Sequence, residues 1–188
     1  MDTLLEADKA LFLFLNSLGS ASYDPFWMLM THRASNVVIY FILWVFYGVF
    51  YSWKQAAYLL VFTLLLLLST DQMTNLFKSL TERLRPCYDS EIQHLVRLVK
   101  PTCGGRYSFF SGHASNSFAL AVFFSLLLSS ISRLFIVVLP ILALLIGYSR
   151  IYIGVHFPLD VIVGTLAGSM MGVIFYTFWL RFNQYVST

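Results

Sequence analysis

The chain has 188 residues, of which 59% are hydrophobic and 11% charged, and its formal net charge at pH 7 is +3. Soluble domains carry about 25% charged residues, so this composition excludes an ordinary soluble protein and predicts an integral membrane protein. The length predicts a single membrane-embedded domain over residues 1–188. No basic run is typical of nucleic-acid binding, and we expect no nucleic-acid partner.

The N-terminal segment predicts a helix that lies at the membrane interface. Residues 4–18 are short and amphipathic, with charged side chains among leucines, which favours an interfacial helix over a spanning one. The acidic start at Asp2 is unlike the basic beginning of a cleavable signal peptide. We therefore expect the spans themselves to hold the protein in the membrane. Asp24-Pro25 is predicted to begin a second short helix.

Five apolar segments are predicted to span the bilayer, which makes the fold class an all-α helical membrane bundle. They cover residues 35–51, 56–80, 114–129, 134–148 and 159–180. Residues 87–110, between the second and third spans, form a long polar loop, and loops of this length are usually functional. Asp71 stands alone inside the second span. We interpret it as a buried group that bonds Thr70, Gln72 or Thr74, and the alternative is a residue that supports a site.

This order of spans places three polar segments at one face of the membrane. The first segment follows the second span, the second precedes the third span, and the third joins the fourth span to the fifth. The short turns of the opposite face carry Lys54, Arg133 and Arg181, and positive short loops mark the cytoplasmic side. We expect the polar face to be external, which in a bacterium means the periplasmic side of the inner membrane.

The first polar segment carries Lys78 and Arg85, followed by Pro86. Seven residues make two helical turns, so both cations can lie on one face about 10 Å apart. On their own they also fit ordinary charges at the end of a span. The second segment is Ser111-Gly112-His113. Its serine can cap a helix, and free backbone N–H groups at a helix start can bind an anion.

The third segment holds Arg150, His156 and Asp160. An arginine offers two parallel donors to a phosphate. A carboxylate four residues after a histidine can accept its Nδ1–H, which leaves Nε2 free to attack. An interfacial histidine–aspartate contact would also explain that pair alone. Together, the three segments predict a site that binds a phosphate and attacks its phosphorus.

The spacing of these residues resembles the type-2 phosphatidic acid phosphatase superfamily, from Lys78 to Asp160. One departure is Phe110, which stands before Ser111-Gly112-His113 where the family usually has proline. The resemblance implies that His156 forms a phosphohistidine, that Asp160 orients it, and that His113 protonates the leaving oxygen. It also implies that the phosphate is bound by a set of cations and helix-start groups: Lys78, Arg85, Arg150, Ser111 and Gly112. No cofactor or metal is expected.

The substrate implied by the resemblance is a lipid phosphate in the bilayer, and undecaprenyl pyrophosphate is the preferred candidate. Phosphatidylglycerophosphate, phosphatidate and lipid A phosphate are the alternatives. A haloperoxidase is disfavoured because those relatives are soluble. A non-catalytic lipid-phosphate binder or transporter is disfavoured because both histidines are present. The sequence does not specify an oligomeric state.

Two further expectations concern the surroundings of the site. Cys87 and Cys103 lie in the long external loop, where an oxidising compartment favours a disulfide, with two free thiols as the alternative. Tyr152 lies inside the third segment and is expected to line the pocket. His32 and His94 are expected to be solvated surface groups.

Overall fold

The computed structural model describes residues 2–187, which form a bundle of α-helices. The helices are α1 (Asp2–Ser17), α2 (Asp24–Thr31), α3 (Arg33–Phe50), α4 (Trp53–Thr81), α5 (Gly112–Leu128), α6 (Phe135–Tyr152) and α7 (Pro158–Ser187). Short 3-10 turns at Pro86–Tyr88 and Gln93–Leu95 interrupt the long loop. Within residues 2–187 there is no strand, and the all-α prediction is confirmed.

Helix α5 is the centre of the bundle, where it contacts α4, α6 and α7. Twelve of its 17 residues are buried. The small-residue face of α7 makes this close packing feasible. A Cβ added to Gly164 would lie 2.6 Å from the carbonyl oxygen of Ser111, and one added to Gly172 would lie 2.7 Å from that of Ala119. These glycines let the backbones of α5 and α7 approach each other directly.

Three of the five predicted spans correspond to single helices that are long and apolar enough to cross a membrane. By length and composition, α4, α6 and α7 can each cross a membrane, and α2 with α3 makes a fourth candidate that is bent by 49°. Helix α5 is apolar and has 17 residues, which is the lower end of the length that spans a bilayer. Its neighbours surround it, so α5 packs mainly against protein, and hydropathy alone could not reveal that difference.

The outer surface of the bundle is apolar, as a lipid-facing surface should be. Leu68 on α4 is 55% exposed and Leu166 on α7 is 65% exposed, and many large apolar side chains of the described residues are exposed as well. An apolar surface of this extent is unfavourable in water and favourable in a bilayer. The protein is therefore an integral membrane protein.

Helix α1 packs over the end of the bundle that carries the three polar segments. Phe12 is fully buried, with its ring centroid 5.4 Å from that of Phe157. The Asn16 amide donates to the carbonyl oxygen of Tyr152 at 2.9 Å and accepts from the backbone N–H of Arg97 at 2.8 Å. The predicted interfacial helix is thus also a cover that contacts both the long loop and α6.

Candidate active site

Four helix ends meet around one cavity of about 1060 Å³. They are the C-terminal ends of α4 and α6 and the N-terminal ends of α5 and α7. The cavity wall includes residues from all three segments that the sequence singled out: Lys78, Arg85, Gly112, His113, Arg150 and His156. The three segments are far apart in the chain, and the fold brings them together.

The two arginines of the site are buried and held in place by oxygen acceptors. Arg85 is 9% exposed, and it donates from Nη1 to the carbonyl oxygen of Cys103 at 2.8 Å and from Nε to that of Tyr107 at 3.3 Å. Arg150, in the last turn of α6, donates to the hydroxyl of Thr31. These bonds orient the guanidinium groups at the cavity without neutralising their charge, so an anion is favoured there.

The start of α5 supplies the backbone part of the site. Ser111 is fully buried, and its hydroxyl accepts from the N–H of Ala114 at 3.4 Å, so it is the predicted helix cap. Gly112 and His113 form the cavity wall at this point. A direct contact of Ser111 with a phosphate stays a prediction, since this residue lies behind that wall.

His156 and Asp160 form a buried pair at the turn between α6 and α7. Asp160 Oδ2 lies 3.3 Å from Nδ1 of His156 and accepts from the backbone N–H of Phe157 at 2.9 Å. Gly154 has a φ of +84°, which favours glycine, and a Cβ there would lie 2.7 Å from the carbonyl oxygen of Arg97. The turn places His156 beside Arg150. The backbone N–H of His156 donates to the backbone carbonyl oxygen of Arg150 at 3.3 Å.

The protonation state of His156 follows from its surroundings. Burial lowers the pKa of the imidazole well below its ordinary value, and the nearby cations, led by Arg85, lower it further. The neutral form is therefore favoured at neutral pH. Since Asp160 can accept the Nδ1–H, the Nε2 lone pair of a neutral ring is available for attack.

Two residues that the sequence did not single out extend this pair. Arg83 donates from Nη1 to Oδ1 of Asp160 at 2.8 Å and from Nη2 to Oδ2 of Asp8 at 2.5 Å. The other oxygen of Asp8 accepts from the N–H of Leu159 at 2.8 Å. The Arg83 guanidinium also lies 4.2 Å from the ring centroid of Phe157. No local pattern links α1 to this site, because the contact joins positions 75 residues apart.

Two sequence-based expectations about this region are wrong. Tyr152 does not line the cavity. It donates to the carbonyl oxygen of Ser20 at 2.8 Å and to Oδ1 of Asp24 at 2.9 Å, so it anchors the segment before α2. Asp71 is exposed to the cavity rather than buried. Its partner is Asn116 on α5, whose amide donates to it at 2.8 Å.

The long loop is closed by a disulfide between Cys87 and Cys103, whose Cα atoms are 6.3 Å apart. The bridge lies next to Arg85, because the carbonyl oxygen of Cys103 accepts from that guanidinium. The expected pairing is therefore present in the structure, and it joins the two sides of the loop at the cavity mouth. His94 lies on the exposed part of the same loop, and His32 lines the cavity.

Comparison with known proteins identifies the family. The model of the PAP2 superfamily matches residues 53–184, which include every residue of the three segments. The chain belongs to the PAP2 superfamily. It is accordingly a membrane-integral lipid phosphatase, and its substrate is a lipid in the bilayer. The N-terminal helices α1 to α3, with Asp8 and Thr31, lie outside the matched range.

Several PAP2 relatives with assigned activities resemble the chain. Lipid A 4'-phosphatases of Porphyromonas gingivalis and Bacteroides thetaiotaomicron are 33% and 34% identical to it, over 96% and 94% of this chain and 76% and 78% of theirs. An undecaprenyl-diphosphatase of Sulfolobus acidocaldarius is 47% identical, but over only 40% of this chain and 34% of its own. The crystal structure of LpxE from Aquifex aeolicus superposes with a TM-score of 0.70 at 28% identity, covering 89% of this chain and 93% of that one.

Proposed function

We propose that this PAP2 phosphatase removes the 4'-phosphate of a lipid A-type amino-sugar lipid. The two relatives that match nearly the whole chain carry that activity, and this supports the lipid A alternative over undecaprenyl pyrophosphate, the candidate preferred from the sequence. The undecaprenyl-diphosphatase shares a higher identity, but over a segment of only 75 residues.

The two relatives support the 4'-phosphate of this proposal, and the shape and polarity of the cavity support a lipid phosphate as the substrate. The polar end of the cavity holds the three cations and His156. Its wall continues between α3 and α4 along apolar side chains that include Phe41, Trp44 and Leu64. A lipid phosphate fits this arrangement because its phosphate can bind the cations while its acyl chains stay in an apolar environment.

The proposed first step is phosphoryl transfer to His156. Lys78, Arg85 and Arg150 bind the phosphate oxygens and stabilise the charge of the transition state. The Nε2 lone pair of His156 attacks phosphorus, and the ester P–O bond breaks. His113 gives its proton to the leaving oxygen, so that the lipid departs as an alcohol. Asp160 keeps the Nδ1–H of His156 oriented throughout.

The proposed second step releases the phosphate. His113, now neutral, accepts a proton from a water molecule that attacks the phosphohistidine. The P–N bond breaks, inorganic phosphate leaves, and both histidines return to their starting states. All charge stabilisation in this scheme comes from groups of the protein itself, so we expect activity to persist in EDTA. We propose that the chemistry occurs at the periplasmic side of a bacterial inner membrane.

The test is a direct comparison of substrates with the purified full-length protein in detergent micelles. Lipid A carrying a 4'-phosphate should lose that phosphate, as read by mass spectrometry. We expect kcat/KM for undecaprenyl diphosphate to be lower by at least about tenfold, which equals about 1.4 kcal/mol of transition-state stabilisation. A faster reaction on undecaprenyl diphosphate would overturn the proposed substrate.

A pair of histidine variants tests the mechanism in the same assay. His156→Ala should abolish turnover, whereas His94→Ala, at an exposed histidine of the loop, should retain it. Rapid quenching of the wild-type reaction should trap phosphate on His156 as an acid-labile adduct. Measurable turnover by a folded His156→Ala variant would rule out the phosphohistidine route.

A further inference from the structure

One part of the cavity wall is polar although the wall around it is apolar. Asp71, Thr74 and Lys78 are three and four residues apart on α4, so they lie on one face, and all three line the cavity. Asp71 and Lys78 are seven positions apart, which places the carboxylate about 10 Å from the lysine of the phosphate end along the helix axis. Apolar residues that include Leu67 and Leu120 also line the wall.

Two buried polar atoms in this part of the wall have no hydrogen-bond partner within the part of the chain that the structure describes. Thr74 is only 2% exposed, yet its hydroxyl has no hydrogen-bond partner there. The buried side-chain oxygen of Asn116 also has none, although the amide nitrogen of this residue donates to Asp71 at 2.8 Å. A buried polar group without a partner is destabilising, so each one requires an explanation.

Thr74 differs from the other buried threonines of the same helix. Thr63 and Thr70 donate to the carbonyl oxygens four residues earlier, at 2.8 and 3.1 Å. The hydroxyl of Thr74 makes no such bond and lies beside the start of α5, where a Cβ on Gly112 would be 3.3 Å from its Cγ2 atom. Thr74 therefore lies between the phosphate end of the cavity and the Asp71–Asn116 pair.

The chemistry of these atoms selects the kind of ligand group that fits them. The Asp71 carboxylate and the Asn116 carbonyl are acceptors, so they require donors from the ligand. An N-acylated amino sugar supplies amide N–H and hydroxyl groups about one sugar ring from its phosphate. A polyprenyl chain has no polar group at this distance, and the ester linkages of a diacylglycerol offer acceptors only.

We propose that Asp71, Asn116 and Thr74 form a subsite for the amide and hydroxyl donors of an N-acylated amino-sugar lipid. The proposal rests on the proposed function, because the phosphate of the same lipid must bind at Lys78, Arg85 and Arg150. In this role the subsite determines specificity: it binds the sugar and its acyl linkage and takes no part in the phosphoryl transfer.

The first experiment measures specificity in variants that remove the polar atoms. Asp71→Asn, Asn116→Leu and Thr74→Val are assayed on lipid A 4'-phosphate and on phosphatidate, a phosphate monoester without such donors. We expect kcat/KM on the amino-sugar lipid to fall at least about tenfold through KM, and kcat/KM on phosphatidate to stay within about twofold. Ser69→Ala, at a half-buried residue of α4 outside the cavity wall, is the matched control and should change neither value.

The second experiment uses the wild-type protein and so does not depend on the folding of a variant. A dephosphorylated N-acyl glucosamine lipid and a diacylglycerol are compared as inhibitors of phosphatidate hydrolysis. The amino-sugar lipid should inhibit at a concentration at least about tenfold lower. Equal inhibition by the two lipids would overturn the subsite, whatever the variants do.

The outcomes separate this inference from the proposed function. If wild type hydrolyses lipid A 4'-phosphate but each variant loses the same factor on both substrates, or none on either, the subsite is wrong and the function stands. If wild type hydrolyses phosphatidate and not lipid A 4'-phosphate, both are wrong. A selective loss on the amino-sugar lipid with stronger inhibition by its product supports both.

Discussion

At the residue scale, the protonation state of His156 depends on its environment. Its pKa is lowered first by burial and then by Arg85, Arg150 and Lys78. A lowered pKa means that the imidazole stays unprotonated as the pH falls. We therefore predict that the acid limb of the kcat/KM profile lies below pH 6.5, the ordinary pKa of histidine.

The variant Arg85→Gln tests the electrostatic part of this effect. Loss of a positive charge near His156 should raise the pKa of the imidazole, so the acid limb should move to higher pH while the rate also falls. Ionisation of the substrate is common to both profiles, so the difference between wild type and variant reports on the enzyme. An acid limb that does not move would show that Arg85 does not influence His156.

The second residue-scale prediction concerns Arg83, which donates a hydrogen bond to Asp160, and Asp8, which binds the other end of the same guanidinium. Arg83→Gln removes the bond to a fully buried carboxylate. We expect kcat to fall at least about tenfold with KM nearly unchanged, because the phosphate-binding cations remain. Asp8→Asn should lower kcat less, and Arg83→Lys should restore part of the loss. Arg106→Gln, at an exposed arginine of the same loop, is the control. A rise in KM alone would contradict a positioning role.

At the element scale, the site depends on how closely α5 and α7 approach. A Cβ at Gly168 would clash with the backbone carbonyl oxygen of Ser115, because the two atoms would be closer than any non-bonded contact allows. A backbone group cannot move aside as the end of a side chain can. Overpacking of this kind costs about 1–3 kcal/mol. We predict that Gly168→Ala lowers the thermal unfolding midpoint in detergent by several degrees, at about 2–4 °C per kcal/mol.

Gly105→Ala is the matched control for this prediction. Its added Cβ would meet only the end of the Arg85 side chain, at 3.9 Å, which is an ordinary contact. The unfolding midpoint of this variant should stay within about 2 °C of wild type, as for most surface substitutions. Equal destabilisation by both alanines would mean that the α5–α7 contact is looser than the structure indicates.

The disulfide is the second prediction at this scale. It closes the loop against Arg85, so its loss should loosen the cavity mouth. We expect the Cys87→Ser/Cys103→Ser double variant to show a KM raised severalfold and a lower unfolding midpoint, since closing a loop of this size is worth about 3 kcal/mol. Alkylation and mass spectrometry of protein from intact membranes should find neither thiol free in wild type.

At the scale of the whole molecule, the residues of the candidate site lie at one end of the bundle. Lys54 and Arg133 lie at the two short interhelical turns of the other end. We predict that the site faces the periplasm. In a cysteine-free background, an impermeant maleimide should label Gln93→Cys in the long loop of intact cells whose outer membrane is permeable. It should label Ser132→Cys in the α5–α6 turn only after the inner membrane is opened. The reverse pattern would place the site in the cytoplasm.

The sequence by itself determined the class of protein and most of the residues that form the candidate site. Its apolar composition and long apolar segments predict a helical membrane bundle. The motif residues lie at helix ends, where local rules of capping and turn formation apply. The positions of Lys78, Arg85, Arg150 and His156 around one cavity follow from those rules and from the order of the spans.

Only the tertiary structure decided which residues support the reacting ones. Asp8 is linked to Asp160 through Arg83, and Thr31 accepts a hydrogen bond from Arg150. Asp71 is bonded by Asn116 of α5 and not by a neighbour in α4. Tyr152 turned away from the cavity towards Asp24 for the same reason. Each of these contacts joins segments at least 45 residues apart, so it depends on how the helices pack. Hydrophobic periodicity and motif spacing describe one segment at a time, and they carry no information about which side chains meet across the bundle.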